Sequence, residues 1–237
     1  MSIDQIDAYD YPCVVKQVIS EFVDIVKSVF HDNSAGVLLI GSASRGELCW
    51  GVIDENEKLF SDIEFMVVVD SLTRRQNIIV SKNIKNLESK YSLGSRFHLD
   101  YVVIKWESLK SLEKRILVFD SKNTGIDLTE HSVLSKLPEI TKKNINFNEL
   151  NDVLLHRMKS ILVDVPENLL CNKEVDNDFI LSIAKNCLDI TTWLFPYESD
   201  LLESGFENRL KIWKDRKSEL EISRYIDDDY GFLTDCL

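Results

Sequence analysis

The sequence predicts an α+β fold, with a small mixed-sheet domain over residues 1–140 and a helical domain over residues 141–237. Three observations lead there. Short apolar and β-branched runs at 37–40, 62–69 and 97–104 alternate with stretches of helical periodicity in the first half of the chain. Past Pro138 and the Lys142-Lys143-Asn144 stretch, apolar residues recur at helical spacing only. The chain has 237 residues and 44% hydrophobic content, which suits one large or two small domains with a real core.

Taken in order, Pro12 to Phe30 reads as an amphipathic helix. Val15, Ile19, Phe22, Val26 and Val29 fall on one face, Pro12 suits the first turn and Asp10 could cap it. Residues 31–36 form a turn, and Val37 to Ile40 is a short strand apolar on both faces. The stretch from Gly51 to Phe60 is polar and acidic, a flexible flap or a hairpin extension. Asp62 to Val69 is the central strand. A helix capped by Asp70 or Ser71 then runs to Tyr91, with Val80, Ile84, Leu87 and Tyr91 on one face. Leu93-Gly94-Ser95 turns the chain back into a third strand, Phe97 to Ile104. Trp106 to Lys114 is a short helix and Arg115 to Asp120 a fourth strand, with Ile126 to Leu128 as its hairpin partner. Helices follow at Phe147–Val163, Asp178–Phe195 and from Phe206 onward; Pro166 and Pro196 end the first two.

Charge and cysteine usage narrow the function. The formal net charge is −12 and the isoelectric point about 4.8. Proteins that grip a phosphate backbone are normally basic on one face, so no polymeric nucleic acid is expected as partner. Five cysteines without CxxC spacing and four scattered histidines give no disulfide framework or zinc pattern. The acidic N-terminus lacks the form of a signal peptide, and no apolar run approaches the roughly 18 residues of a membrane span. The expectation is a reduced, cytoplasmic, soluble protein without a membrane partner.

The chemistry concentrates between Gly36 and Asp70. Asp62 and Glu64 lie two residues apart, so in a strand they share a face, opposite Ile63, Phe65, Val67 and Val69. Like charges side by side on a strand repel, and a divalent cation or a basic partner would offset them. Solvated acids at an exposed strand start are the bland alternative. Asp100 sits in the middle of another apolar strand, with His98 on its face, where the histidine could touch a substrate, support Asp100 or serve structure alone. Were the two strands neighbours, three carboxylates would converge into the oxygen-rich patch that holds Mg²⁺ against nucleotide phosphates. Upstream, Gly41-Ser42-Ala43-Ser44-Arg45-Gly46 follows the first strand. Gly41 lets backbone approach a phosphate, Ser42 can donate to it and Arg45 can add a charge-assisted contact. A plain strand-to-helix turn with a capping serine is the alternative, and the carboxylates that follow weigh against it.

Gly41-Ser42, then Ser61-Asp62-Ile63-Glu64 entering a hydrophobic strand, then a strand holding Asp100, together resemble the nucleotidyltransferase superfamily typified by DNA polymerase β. The SDIE form in a short chain is similar to the kanamycin-type aminoglycoside nucleotidyltransferases. The likeness covers about the first half of the chain, and the Ala43–Ser61 stretch is longer than usual in that family. The resemblance implies that Asp62, Glu64 and Asp100 are the catalytic and Mg²⁺-binding carboxylates. Gly41, Ser42 and Arg45 then contact a nucleoside triphosphate, expected to be ATP. It further implies a helical domain facing the nucleotide across a cleft, from which Lys185 would reach the phosphates; a snorkelling or salt-bridged lysine is the alternative. The expected acceptor is a hydroxyl of a small molecule such as an aminoglycoside or sugar. Protein nucleotidylation of the toxin or antitoxin kind, and a catalytically silent nucleotide-binding module, are the other readings. A cleft shared between two copies would make the chain a homodimer.

Overall fold

The computed structural model describes residues 6–30, 35–53, 55–94, 97–113, 115–164, 186 and 203–216. These residues form an α+β fold with a small mixed sheet and several helices. By its contacts the chain divides into two compact units, residues 1–113 with 117–139, and residues 114–116 with 140–237.

The first unit opens with helix α1 (Cys13–Phe30), whose buried residues Val15, Val18, Ile19, Phe22, Val23, Val26 and Phe30 follow the helical spacing of the sequence. Strand β1 (Gly36–Ile40) is buried along its whole length, as expected of a run with no polar face. A single helical turn, α2 (Gly41–Ser44), follows directly. Strands β2 (Trp50–Ile53) and β3 (Asn56–Leu59) make a two-stranded hairpin of their own, so the polar insertion takes the hairpin form. Strand β4 (Ile63–Val69) comes next, then α3 (Arg74–Tyr91) and β5 (Leu99–Lys105). A 3₁₀ turn at Trp106–Ser111 leads to helix α4 (Ile116–Thr124) and the short β6 (Ile126–Asp127). In the second unit, α5 (Phe147–Asp164) and α6 (Phe206–Arg216) are helical. Of the expected helix at 178–195 only Asn186 is among the described residues, and it is helical and buried.

The four-stranded sheet has the order β5-β4-β1-β6. β1 pairs antiparallel with β4 and with β6, while β4 and β5 are parallel. A parallel pair needs a crossover, and α3 supplies it. One sheet face carries Ile63, Phe65, Val67 and Val69, packed in a single core with α1 and with Val80, Ile84 and Leu87 of α3. At its centre Phe22 stacks on Phe65, ring centroids 3.7 Å apart and planes 7° from parallel. The two helices are also joined at the surface: Glu21 accepts hydrogen bonds from Lys90 Nζ (2.6 Å) and the Tyr91 hydroxyl (2.7 Å). Those two donors hold the Glu21 carboxyl below its usual range. On the opposite face of β4, Met66 and Val68 are fully buried and Glu64 is partly open. A Cβ on Gly36 would strike Trp106 and Val133, which places the segment after β5 against that face.

Two expected elements differ. Residues 116–120 are the start of helix α4, not a strand. Short apolar runs fit either state, and here the adjacent Val118 and Phe119 are both buried, which breaks a strand's alternation. Ser121 Oγ, Asn123 Nδ2 and Thr124 Oγ1 each donate to the carbonyl four residues earlier. The segment at 126–127 accordingly pairs with β1 rather than with its sequence neighbour. The cap of α3 is Thr73 rather than Asp70 or Ser71. Its hydroxyl accepts from the Gln76 amide and the Gln76 side chain accepts from the Thr73 amide, a reciprocal capping box.

Candidate functional site

The register of β4 and β5 builds the site. Glu64 stands opposite Asp100 in the parallel pair, and Ile63 opposite Leu99. One step earlier the Ile63 amide donates to the His98 carbonyl at 3.1 Å. Side chains at register partners in a parallel pair face the same way. Asp62, Glu64, His98 and Asp100 therefore share the sheet face opposite α1, at the end where β4 and β5 begin. The Leu99 amide donates to Glu88 Oε1 of α3 at 2.7 Å, which anchors the start of β5.

Within this group one ligand atom each from Asp62, His98 and Asp100 lies within 4.8 Å of the others. His98 Nε2 is 3.3 Å from Asp100 Oδ2 and 3.8 Å from Asp62 Oδ2. The side chains of His98 and Asp100 are 52% and 59% exposed, that of Asp62 23%, so the cluster faces solvent and can receive a ligand. Glu64, the fourth member of the face, turns toward β1. It pairs in register with Ile40, and a Cβ on Gly41 would collide with its carboxylate.

Gly41 has φ +71°, a conformation that glycine adopts without strain. Its lack of a side chain is thus required twice, by backbone conformation and by the Glu64 carboxylate beside it. Gly41→Ala is expected to cost about 1–2 kcal/mol from the left-handed backbone alone. Displacing Glu64 should lower any activity of the face by roughly 10²-fold per folded molecule. Gly94→Ala is the control: φ is +127° there, and the nearest atoms belong to Leu59 and Lys58 rather than to the carboxylates. Thermal unfolding with activity assays on both variants separates strain from site damage; equal loss of activity in the two would refute the role given to Gly41.

The turn after Gly41 is pinned from a distance. The Tyr9 hydroxyl donates to the Ser44 carbonyl at 2.9 Å and the Tyr11 hydroxyl to the Ala43 carbonyl at 3.0 Å. Nothing in the local sequence marks these tyrosines, which sit more than thirty residues from their acceptors. Burial pushes the Tyr11 phenol up to about 12. A raised phenol pKa means the unfolded chain loses its proton first. The corresponding stability is present in full below about pH 10 and falls away between pH 10 and 12. Tyr11→Phe should cost about 1 kcal/mol and erase that alkaline sensitivity. Urea unfolding at neutral and alkaline pH checks both, and an unchanged alkaline slope would count against the assignment.

Ser42 is buried, and its Oγ lacks a hydrogen-bond partner among the described residues. A buried hydroxyl in that state calls for an explanation, and a ligand oxygen is one. Arg45 pairs with Glu47, Nε to Oε2 2.6 Å, with both side chains mostly buried. Its charge is thus engaged beside the turn. The hairpin is tied to the same region: the Cys49 amide donates to Ser61 Oγ (3.2 Å) and the Phe60 amide to the Cys49 carbonyl (3.0 Å). Lys185 lies outside the described residues.

Asp62, His98 and Asp100 each offer one atom that could ligate a metal ion, with Glu64 alongside on the same face. Residue spacing marks this face but leaves His98 an accompaniment, whereas its Nε2 lies 3.3 Å and 3.8 Å from a carboxylate oxygen of Asp100 and of Asp62. No helix among the described residues is long and apolar enough to cross a membrane. No protein-family profile matches the chain, and no curated protein matches it.

Proposed function

We propose that this chain is a Mg²⁺-dependent nucleotidyltransferase of the cytoplasm, built as a nucleotidyltransferase domain followed by a helical domain. It moves a nucleoside monophosphate from a nucleoside triphosphate, ATP in the first instance, to a hydroxyl of a small molecule such as an aminoglycoside or sugar. The observation that carries the reading is the register of β4 against β5, which puts Asp62, Glu64 and Asp100 on one sheet face beside Gly41.

In this reading Asp62 and Glu64 would hold the cation, and Asp100 completes the site. When bound, Mg²⁺ neutralises the triphosphate and the charge that develops on the leaving pyrophosphate. The turn after Gly41 offers the Ser42 hydroxyl and backbone amides to phosphate oxygens, and Arg45 contributes positive charge held in place by Glu47. Asp100 is the more exposed of the two aspartates, and so within reach of an acceptor hydroxyl. It takes the proton as the acceptor oxygen forms its bond to the α-phosphorus and the α–β phosphoanhydride bond breaks. Most of the rate enhancement comes from positioning and preorganised charge rather than from covalent chemistry. The net charge of −12 disfavours a nucleic-acid acceptor; it is compatible with a cationic one and equally with the ordinary acidity of a soluble protein.

The test supplies purified protein and Mg²⁺ with each nucleoside triphosphate labelled at the α-phosphorus, in a small-molecule and protein extract. Label on a small molecule supports the proposal. Label on a protein band would shift the assignment to protein nucleotidylation, and absence of Mg²⁺-dependent transfer with every nucleotide would leave a silent binding module.

A further inference from the structure

We infer that Asp62, His98 and Asp100 form a mixed nitrogen–oxygen site for a first-row transition dication, Mn²⁺ being the oxygen-preferring member, with His98 Nε2 as a direct ligand. The inference rests on the nucleotidyltransferase reading for what the ion would do, and on the ligand atoms alone for its binding.

Three facts carry it. Two donors to one ion at bond lengths of about 2.0–2.2 Å can stand no more than roughly 4.4 Å apart. His98 Nε2 meets that limit with both aspartates, at 3.3 Å and 3.8 Å, and the three ligand atoms all lie within 4.8 Å of one another. The imidazole is also held where it is by backbone. The His98 carbonyl accepts from the Ile63 amide, and the next amide, of Leu99, is fixed by Glu88. The ring thus projects over the sheet face from a strand start tied on both sides. The charge of the three-residue set fits as well, since two carboxylates and a neutral imidazole sum to the opposite of a dication, with Glu64 set aside toward β1 and Gly41.

Donor chemistry selects the ion. Mg²⁺ favours all-oxygen surroundings and gives up water reluctantly, so a nitrogen donor adds little to its affinity. Imidazole favours the transition series, and carboxylates with water suit its Mn²⁺ end. With the His98 and Asp100 side chains more than half exposed, further coordination positions remain open to water or phosphate oxygen. A hydrogen bond between His98 and Asp100 with no metal role is the competing account, and it predicts no nitrogen contact to an added ion.

The experiment uses the full chain with Mn²⁺ and no nucleotide, read by pulsed electron paramagnetic resonance. The expected spectrum shows ¹⁴N coupling of a directly bound imidazole. In His98→Ala that coupling disappears and Mn²⁺ affinity falls by no less than about tenfold, the lower range for losing even an outer-sphere partner. Mg²⁺ affinity stays near wild type. His98 is half-exposed, so the variant should keep its fold, and circular dichroism checks this. Bound Mn²⁺ without ¹⁴N coupling in the wild type overturns the inference, as does failure to bind Mn²⁺. The two proposals fail separately. Missing nitrogen coupling with intact Mg²⁺-dependent transfer removes only the ligand assignment. Nitrogen coupling without transfer from any nucleotide leaves the metal site standing and removes the enzymatic reading.

Discussion

Asp62→Asn is expected to lower Mg²⁺-dependent nucleotidyl transfer by about 10³-fold or more while the fold survives. Asparagine keeps the shape of aspartate and removes its charge, so packing at the start of β4 is preserved while the face loses a cation ligand. The loss should exceed that of a positioning change such as Gly41→Ala, because the charge itself is removed. Stability should hold or rise slightly, since the substitution relieves repulsion among clustered carboxylates. That pairing of outcomes separates a functional cluster from a structural one. Circular dichroism and thermal unfolding report the fold, and transfer of α-label reports the chemistry. Wild-type transfer in a folded Asp62→Asn protein would sink the assignment of the face.

Phe22→Ala is the substitution expected to cost most in stability, about 3–5 kcal/mol. Phe22 is fully buried, stacks on Phe65 and meets Tyr101 edge-on at 6.2 Å between centroids. It therefore joins α1 to both β4 and β5, the two strands whose register makes the site. Truncation leaves a cavity and removes an aromatic pair worth about 0.5–1.5 kcal/mol. A fall in Tm on the order of 10 °C is expected. Ile78→Ala, on the exposed face of α3, should change Tm little. Comparable losses in the two would mean that the core is not centred on the Phe22–Phe65 stack.

The site was more legible in the sequence than the topology around it, for a physical reason. Strand side chains repeat every two residues, so Asp62 with Glu64 and His98 with Asp100 each declare a shared face. The parallel pairing then aligns the two pairs, Glu64 opposite Asp100. Strands β1 and β4 announced themselves as apolar runs because they are buried almost throughout. The run at 115–120 misled because a short apolar segment fits strand or helix equally, and tertiary burial decides. The Thr73 cap was legible, since Thr73 and Gln76 have capping-box spacing three residues apart, but Asp70 and Ser71 competed for the role. The Tyr9 and Tyr11 contacts to the Gly41 turn have no local signature at all. Nor does the approach of His98 to both aspartates, which depends on ring placement rather than on residue spacing.

The account stands most directly on which phosphorus leaves the nucleotide. Protein, Mg²⁺ and extract would be supplied in parallel with triphosphate labelled at the α- or the γ-phosphorus. Transfer of the α-label to an acceptor, with γ-label recovered as pyrophosphate in equal amount, is the predicted result. Transfer of γ-label, or release of inorganic phosphate alone, would contradict it, because a face built for nucleotidyl transfer breaks the α–β bond and leaves the β–γ bond intact.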